Sequence, residues 1–326
     1  MATPVWTTGT LPDQFNGDFN KRYFDKQIEY LKGPNTLLKR LTREIPTTRG
    51  YWKGTITTLR GNWGEVAEGI QEAPVVRPEK VRDMQVPIKL VKGIMAVSRE
   101  QMEDDAANGY GYVTSLAPKF AERGPKMLEL DITDTFINTA FTLNTLRDVR
   151  DGVPLLSTAH PAGLSGLSYG NTPATAVALS ETAISQAISY FRSGIYDDGG
   201  DLHPLLNVTD FDLFVHPDLE AYAHQLVKSY ASVADNKNEG VINPVGPRGL
   251  FNINVVPVPF QTNRRAWFMR PTVGQAESGM IVLMRTAPGA PEKIQRQNPD
   301  QWQWQGRMRY GLFVEDPRYF YGSPGV

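Results

Sequence analysis

The chain has 326 residues, 40% hydrophobic and 21% charged, which is enough to bury a sizeable core in one large or two medium domains. Lys and Arg number 34 against 35 Asp and Glu, so the net charge of -1 gives no whole-protein field toward nucleic acid or anionic lipid. The lack of cysteine excludes disulfides, thiolate catalysis and cysteine-ligated zinc. Met1–Asn16 has no signal-peptide pattern, and no run reaches about 18 apolar residues.

Residues 1–46 read as an arm. Phe19, Tyr23, Phe24, Ile28 and Leu31 fall on one helical face that Gly33–Pro34 ends. Asn35 is placed to cap a further turn carrying Leu37, Leu38 and Leu41. Such a stripe, with no domain of its own, must bury itself on the rest of the subunit or on a neighbour.

Residues 47–82 read as an extended loop. Tyr51–Leu59, rich in Thr, Trp and Ile, predicts a long strand. Val81–Val97 predicts a second, alternating at Met84, Val86, Ile88 and Leu90. Gly93 shifts the phase and predicts a bulge, and Pro87 places the strand at a sheet edge. Between the strands, Gly61, Gly64 and Gly69 lie among residues of both charges, so the hairpin tip forms no core of its own. Its candidate partner-facing residues are Arg60, Glu65, Glu68 and Arg77 for ion pairs, with Trp52 and Trp63 for apolar burial.

Ser98 is a good cap for a short helix whose acidic residues follow at Glu100, Glu103 and Asp104. From Gly111 to Leu146 comes the stretch that organises the chain. Val113, Leu116, Phe120, Leu128, Ile132, Phe136, Ala140 and Leu143 recur at helical spacing. Thirty such residues reach roughly 45 Å at about 1.5 Å each. Pro118 and Pro125 predict a kink near Pro118 or a restart at Gly124–Pro125, which makes Gly124 and Pro125 the candidate hinge.

Beyond it the pattern is that of a compact α/β unit. Ser180 opens an amphipathic helix with Ile184, Ile188 and Phe191 inward, ended at Gly194. Phe211, Leu213 and Val215 alternate as a strand, and His216–Pro217–Asp218 starts a helix bearing Leu219, Tyr222, Leu226 and Tyr230. Short β segments at 252–258, 265–269 and 280–286 precede a last strand from Arg307 to Val314.

Signatures of catalysis are weak. Gly166–Gly170 matches the G-x-S-x-G nucleophile elbow, which needs a buried strand entering and a helix leaving. Pro161, Gly163 and Pro173 oppose both, so Ser168 reads as a loop residue, and a serine hydrolase using Ser168 stands only as an alternative. His160, His203 and His216 each precede a proline and read as turn caps, and His224 completes a set with no metal-ligand spacing. No phosphate-binding loop is present, so no cofactor is expected. Asp104–Asp105 and Asp197–Asp198 read as solvated charge, and Arg264–Arg265 and Lys293–Arg296 are too short for a nucleic-acid patch. Trp302 and Trp304 share one strand face, which reads as packing.

Four segments carry a family resemblance: Ala96–Asp105, Gly152–Pro161 (GVPLLSTAHP), Phe214–Leu219 and Tyr310–Gly325, which ends in FYGSPG. Together, in this order, they resemble the tailed-phage major capsid proteins of the Hong Kong-type fold, and among them the Mu-like head subunits. The resemblance implies an α+β fold: an N-terminal arm (1–46), an extended β-hairpin loop (47–82), a peripheral domain with a long spine helix (83–149 and 301–326) and an axial α/β domain (150–300). It implies self-assembly through hexamers and pentamers into an icosahedral shell around phage DNA, with each loop over the adjacent subunit. The protein would belong to the virion capsid, assemble in the host cytoplasm, contact packaged DNA non-specifically and have no membrane partner. Residue 1 already starts the arm, so a separate scaffolding protein is expected, with a portal and a decoration protein as further partners. Lys53 and Lys80 are present in the loop, but no acidic catalyst or acceptor is evident, and no cross-link is expected. An encapsulin-like compartment shares the same fold and is the alternative of a different class.

Overall fold

The structure, a computed structural model, describes residues 25–26, 37–60, 77–108, 111–144, 151–163, 165–196, 202, 205, 208–229, 243–247, 249–272, 279–289, 291–297 and 300–326. Its longest strand, β12 (Asp300–Val314), begins well before the expected Arg307 and organises the larger sheet. The first half of β12 pairs with β11 (Glu292–Gln297) and the second half with β10 (Met280–Thr286), both antiparallel. Along its other edge lies β4 (Lys89–Ser98), and β1 of the arm (Arg43–Pro46) adds to β10 in parallel. Strand alternation turns Trp304, Met308 and Tyr310 of β12 to the same, buried side.

A second sheet has the order β13 (Tyr321–Ser323), β9 (Trp267–Pro271), β7 (Asp210–Val215), β8 (Asn252–Pro257). Strand β7 is buried from Phe211 to Val215, so the expected in–out alternation is absent. The reason is that both its faces are covered. Phe211, Leu213 and Val215 pack with the helices α4 (Glu181–Ser193) and α5 (Pro217–Lys228), whereas Phe214 joins the core that holds Leu128, Ile132 and Phe136. Both helices start where the sequence places them: Ser180 Oγ accepts from the Ala183 N–H, and His216 Nδ1 accepts from the Asp218 N–H. Of the residues expected on α5, Leu226 is buried, Tyr222 is exposed and Tyr230 lies outside the described residues.

The long helix, α3, runs unbroken from Tyr112 to Thr133 with Pro118 and Pro125 inside it. It does not restart at Gly124–Pro125. Each proline removes one intrahelical N–H, which leaves the carbonyls of Thr114 and Ala121 without their usual partners. Ala117, Ala121, Leu128 and Ile132 form its buried stripe. The helix ends sooner than Leu146: a π-helical turn, Asp134–Asn138, takes over, burying Phe136 and Ile137, and Leu143 is exposed. Before it, helix α2 (Arg99–Asn108) opens on a capping box, in which Ser98 Oγ accepts from the Gln101 N–H and Gln101 Oε1 accepts from the Ser98 N–H, both at 3.2 Å.

Two expectations for the strands fail. The run Val81–Val97 is two strands, β3 (Arg77–Pro87) and β4, separated at Ile88. Gly93 makes no bulge: it sits opposite Gly306 in an unshifted register, and a Cβ there would stand 3.6 Å from the Phe120 ring. Pro87 does lie on an edge, paired with Tyr51 in the two-stranded sheet of β2 (Tyr51–Arg60) and β3.

The arm is fastened by charge. Helix α1 (Leu37–Arg40) presents its first N–H groups, from Leu37 and Leu38, to the Glu129 carboxylate of α3 at 3.2 and 3.4 Å. Burial raises the Glu129 carboxyl above its ordinary value, against the lowering effect of these two bonds. At the far end Arg270 of β9 donates to the Leu41 carbonyl at 2.8 Å. Phe19, Tyr23, Phe24, Ile28, Leu31 and Asn35 lie outside the described residues.

Candidate assembly surface

The β2–β3 hairpin stands apart from the larger sheets, and its base is locked to the body. Met84 and Val86 are buried against Ile281, Leu283 and Phe313. Trp52, expected at an interface between subunits, packs largely within its own chain: its ring lies 4.8 Å from Phe313 and folds back over Gly54, where a Cβ would come within 2.2 Å of the indole. Arg77 is exposed at the outer end of β3 and pairs in register with Arg60. Trp63, Glu65 and Glu68 lie outside the described residues.

A second surface feature lies between α3 and the β4–β12 pair. It is a groove of about 340 Å³ lined by Val91, Gly93, Phe120, Gly124, Met127 and Met308 among others. Gly124, one of the two candidate hinge residues, therefore lines a groove, and Pro125 is buried in the helix beside it. Ile94, which also lines the groove, and Leu90 are 53% and 50% exposed on β4, whose outer edge has no partner strand among the described residues. A long edge strand that carries exposed apolar side chains is a template for contact with another chain.

Ser168 is not on a nucleophile elbow. It lies in a two-residue strand, β6 (Ser168–Tyr169), opposite Pro161 of β5 (His160–Pro161), with its side chain exposed. His160 is not a turn cap either. It is fully buried, stacked on Tyr169, with Nδ1 2.6 Å from Asp151 Oδ2 and Nε2 3.1 Å from Asn171 Oδ1. Both ring nitrogens are thus engaged, and neither is turned to Ser168. His203 lies outside the described residues, and the described residues hold no group of three or more potential metal ligands. Among them, no helix is long and apolar enough to cross a membrane.

Asn171 is the residue that sequence reasoning missed. Its amide donates to the carbonyls of Leu155 (2.8 Å) and Pro317 (3.1 Å), and its oxygen accepts from the Ser157 N–H at 2.9 Å as well as facing His160. One side chain thus closes the segment after the long helix onto the C-terminal tail. A second polar junction joins helix to sheet: Asp131 of α3 accepts from the Tyr310 hydroxyl and holds Lys89 Nζ at 2.5 Å. Burial, then the bond to Asp131, pushes the Tyr310 hydroxyl far above the usual tyrosine range.

The model of the phage capsid protein family matches residues 83–323. The chain belongs to that family. Its α+β architecture is the tailed-phage major capsid fold: the Mycobacterium phage Patience structure aligns with a TM-score of 0.50 at 10% identity, over 94% of this chain and 87% of that one. The capsid of an empty GTA particle aligns with a TM-score of 0.49 at 10% identity, over 89% and 90% of the two chains. The procapsid of bacteriophage JBD30 aligns with a TM-score of 0.48 at 14% identity, over 99% and 76%. None of the curated proteins matches the sequence.

Proposed function

We propose that this chain is the major subunit of an icosahedral phage head, assembling through hexamers and pentamers around packaged DNA. The observation that carries the reading is the family match, which begins at residue 83 and runs almost to the C-terminus. In this reading the hairpin of residues 47–82 lies over the adjacent subunit. Arg60 and Arg77 then meet acidic groups of that neighbour, while Glu65, Glu68 and Trp63 add ion pairs and apolar burial. Each exposed pair contributes about 0.2–1 kcal/mol, repeated over the whole shell. Gly124–Pro125 is the point at which α3 flexes between five-fold and six-fold surroundings. A separate scaffolding protein, a portal and a decoration protein complete the particle, DNA is contacted without sequence preference, and assembly takes place in the host cytoplasm. Within the family, the segments Gly152–Pro161 and Tyr310–Gly325 favour the Mu-like group. The reading is tested by light scattering and electron microscopy of the full-length chain beside a variant lacking residues 60–78. Shells or capsomers from the parent that fail in the variant support it. A stable monomer indifferent to the deletion overturns it.

A further inference from the structure

The hairpin has an anchored half and an outer half, and one unmatched residue marks the boundary. On the body side, Trp52 pairs with Val86 and Gly54 with Met84, and both β3 residues are buried. On the outer side Arg77, Pro78 and Lys80 are exposed, and no third strand joins β2 or β3 among the described residues. Between the halves, Ile56 faces Arg82 and Thr57 faces Lys80, so Val81 has no counterpart on β2.

The side chains confirm this register. In a regular strand, residues three apart point to opposite faces. Lys80 Nζ nevertheless lies 2.5 Å from Asp83 Oδ2, and Asp83 Oδ1 accepts from the Thr55 hydroxyl at 2.8 Å. The extra residue brings Lys80 round to the face that Asp83 and Thr55 share, and their contacts close a clip across the bulge. The Lys80 and then the Thr55 hydrogen bond hold the Asp83 carboxyl below its ordinary value.

A bulge bends its strand and increases the local twist. Here it sits just beyond the last core contacts, where a bend changes the path of the outer hairpin and leaves the packed base alone. We propose that the bulge at Val81 is a fixed elbow that sets the direction in which the outer hairpin leaves the subunit, and with it the angle to the second copy beneath the loop. The inference rests on the assembly reading above, and adds to it the residue that fixes the geometry.

Two variants separate direction from facing. Deleting Val81 removes the bend but keeps the pairs from Thr57–Lys80 to Arg60–Arg77 on their present faces. Inserting one glycine between Ile56 and Thr57 gives Val81 a partner, which also removes the bend but turns every outer pair over. Both changes spare the core, so both chains should keep the parent's thermal midpoint to within about 4 °C. Under conditions in which the parent forms closed shells, the Val81 deletion should shift particle diameter beyond the parent's spread, or leave open sheets, by electron microscopy. The insertion should yield only unassembled subunits. Shells of parental diameter from the deletion overturn the elbow. If the deletion does not fold, parental shells from the insertion overturn it instead. A parent that never assembles, or that assembles equally well without residues 60–78, refutes the assembly reading and is a separate result.

Discussion

Replacing Asn171 by alanine removes a fully buried side chain that contacts four polar groups at once. The Leu155 and Pro317 carbonyls lose a donor, the Ser157 N–H loses an acceptor, and His160 Nε2 loses its polar neighbour. Asn171 has no exposed surface, so bulk water does not reach the gap. The Pro317 carbonyl keeps the Phe320 N–H, so the groups left unpaired are the Leu155 carbonyl and the Ser157 N–H. At the low end of about 1–3 kcal/mol each, the loss is about 2 kcal/mol. At roughly 2 °C per kcal/mol for a chain of this size, the thermal midpoint falls by about 4 °C. The backbone bonds at this residue, Asn171 N–H to Ser157 carbonyl and Gly322 N–H to Asn171 carbonyl, survive the change, so the difference reports the side chain. Asn171→Asp is the companion: it keeps the acceptor but sets a second oxygen against two carbonyls, and it should be at least as destabilising at neutral pH. Urea unfolding of unassembled subunits, followed by tryptophan fluorescence, measures both. An alanine variant within 1 kcal/mol of the parent at an unchanged slope would refute this account (~1 kcal/mol being the net value of a single ordinary hydrogen bond).

Other substitutions test other joints. Phe136→Ala, at a fully buried position beneath the π-helical turn, should cost about 3–5 kcal/mol in the same unfolding assay. Tyr310→Phe should cost about 1.5–3 kcal/mol because a hydrogen bond to a carboxylate is lost, although Lys89 remains on Asp131. Titration of tyrosine absorbance should leave Tyr190, Tyr310 and Tyr321 un-ionised at a pH where exposed tyrosines have titrated, since burial raises all three. Glu129 binds its proton more tightly folded than unfolded, so its contribution to stability is full below its unfolded value near 4.5 and is lost as pH rises through the raised folded value. Glu129→Gln keeps an acceptor for the Leu37 and Leu38 N–H groups and removes that decline. Thermal midpoints measured from pH 4 to 7 should therefore diverge in favour of the glutamine variant, and parallel curves would exclude the assignment.

Residues acting within a turn or two of themselves were legible in the sequence. The Ser180 and His216 caps and the inward Ile184, Ile188 and Phe191 of α4 follow from spacing and capping chemistry, and all are found. Failures occurred where a local signal had more than one physical meaning. Glycine at 93 reads as a bulge, but the ladder runs through it in unshifted register opposite Gly306, and only the partner strand decides that. The real bulge, at Val81, carries no glycine or proline of its own, because it is fixed by the partner strand's count. That Trp52 also rests on Phe313 of its own chain is a contact between distant residues that nothing in the sequence shows.

The sequence by itself determined the periodic elements, the absence of cysteine chemistry and the order of segments that places the chain among phage capsid proteins. Tertiary structure alone decided that β7 separates two cores, that α3 continues through both prolines, and that the arm, tail and body are joined through Glu129, Arg270 and Asn171. Those joints bridge 92, 229 and 146 residues of chain. Periodicity and caps are encoded by residues a few positions apart, whereas a buried hydrogen bond across such distances exists only after the sheets have chosen their register.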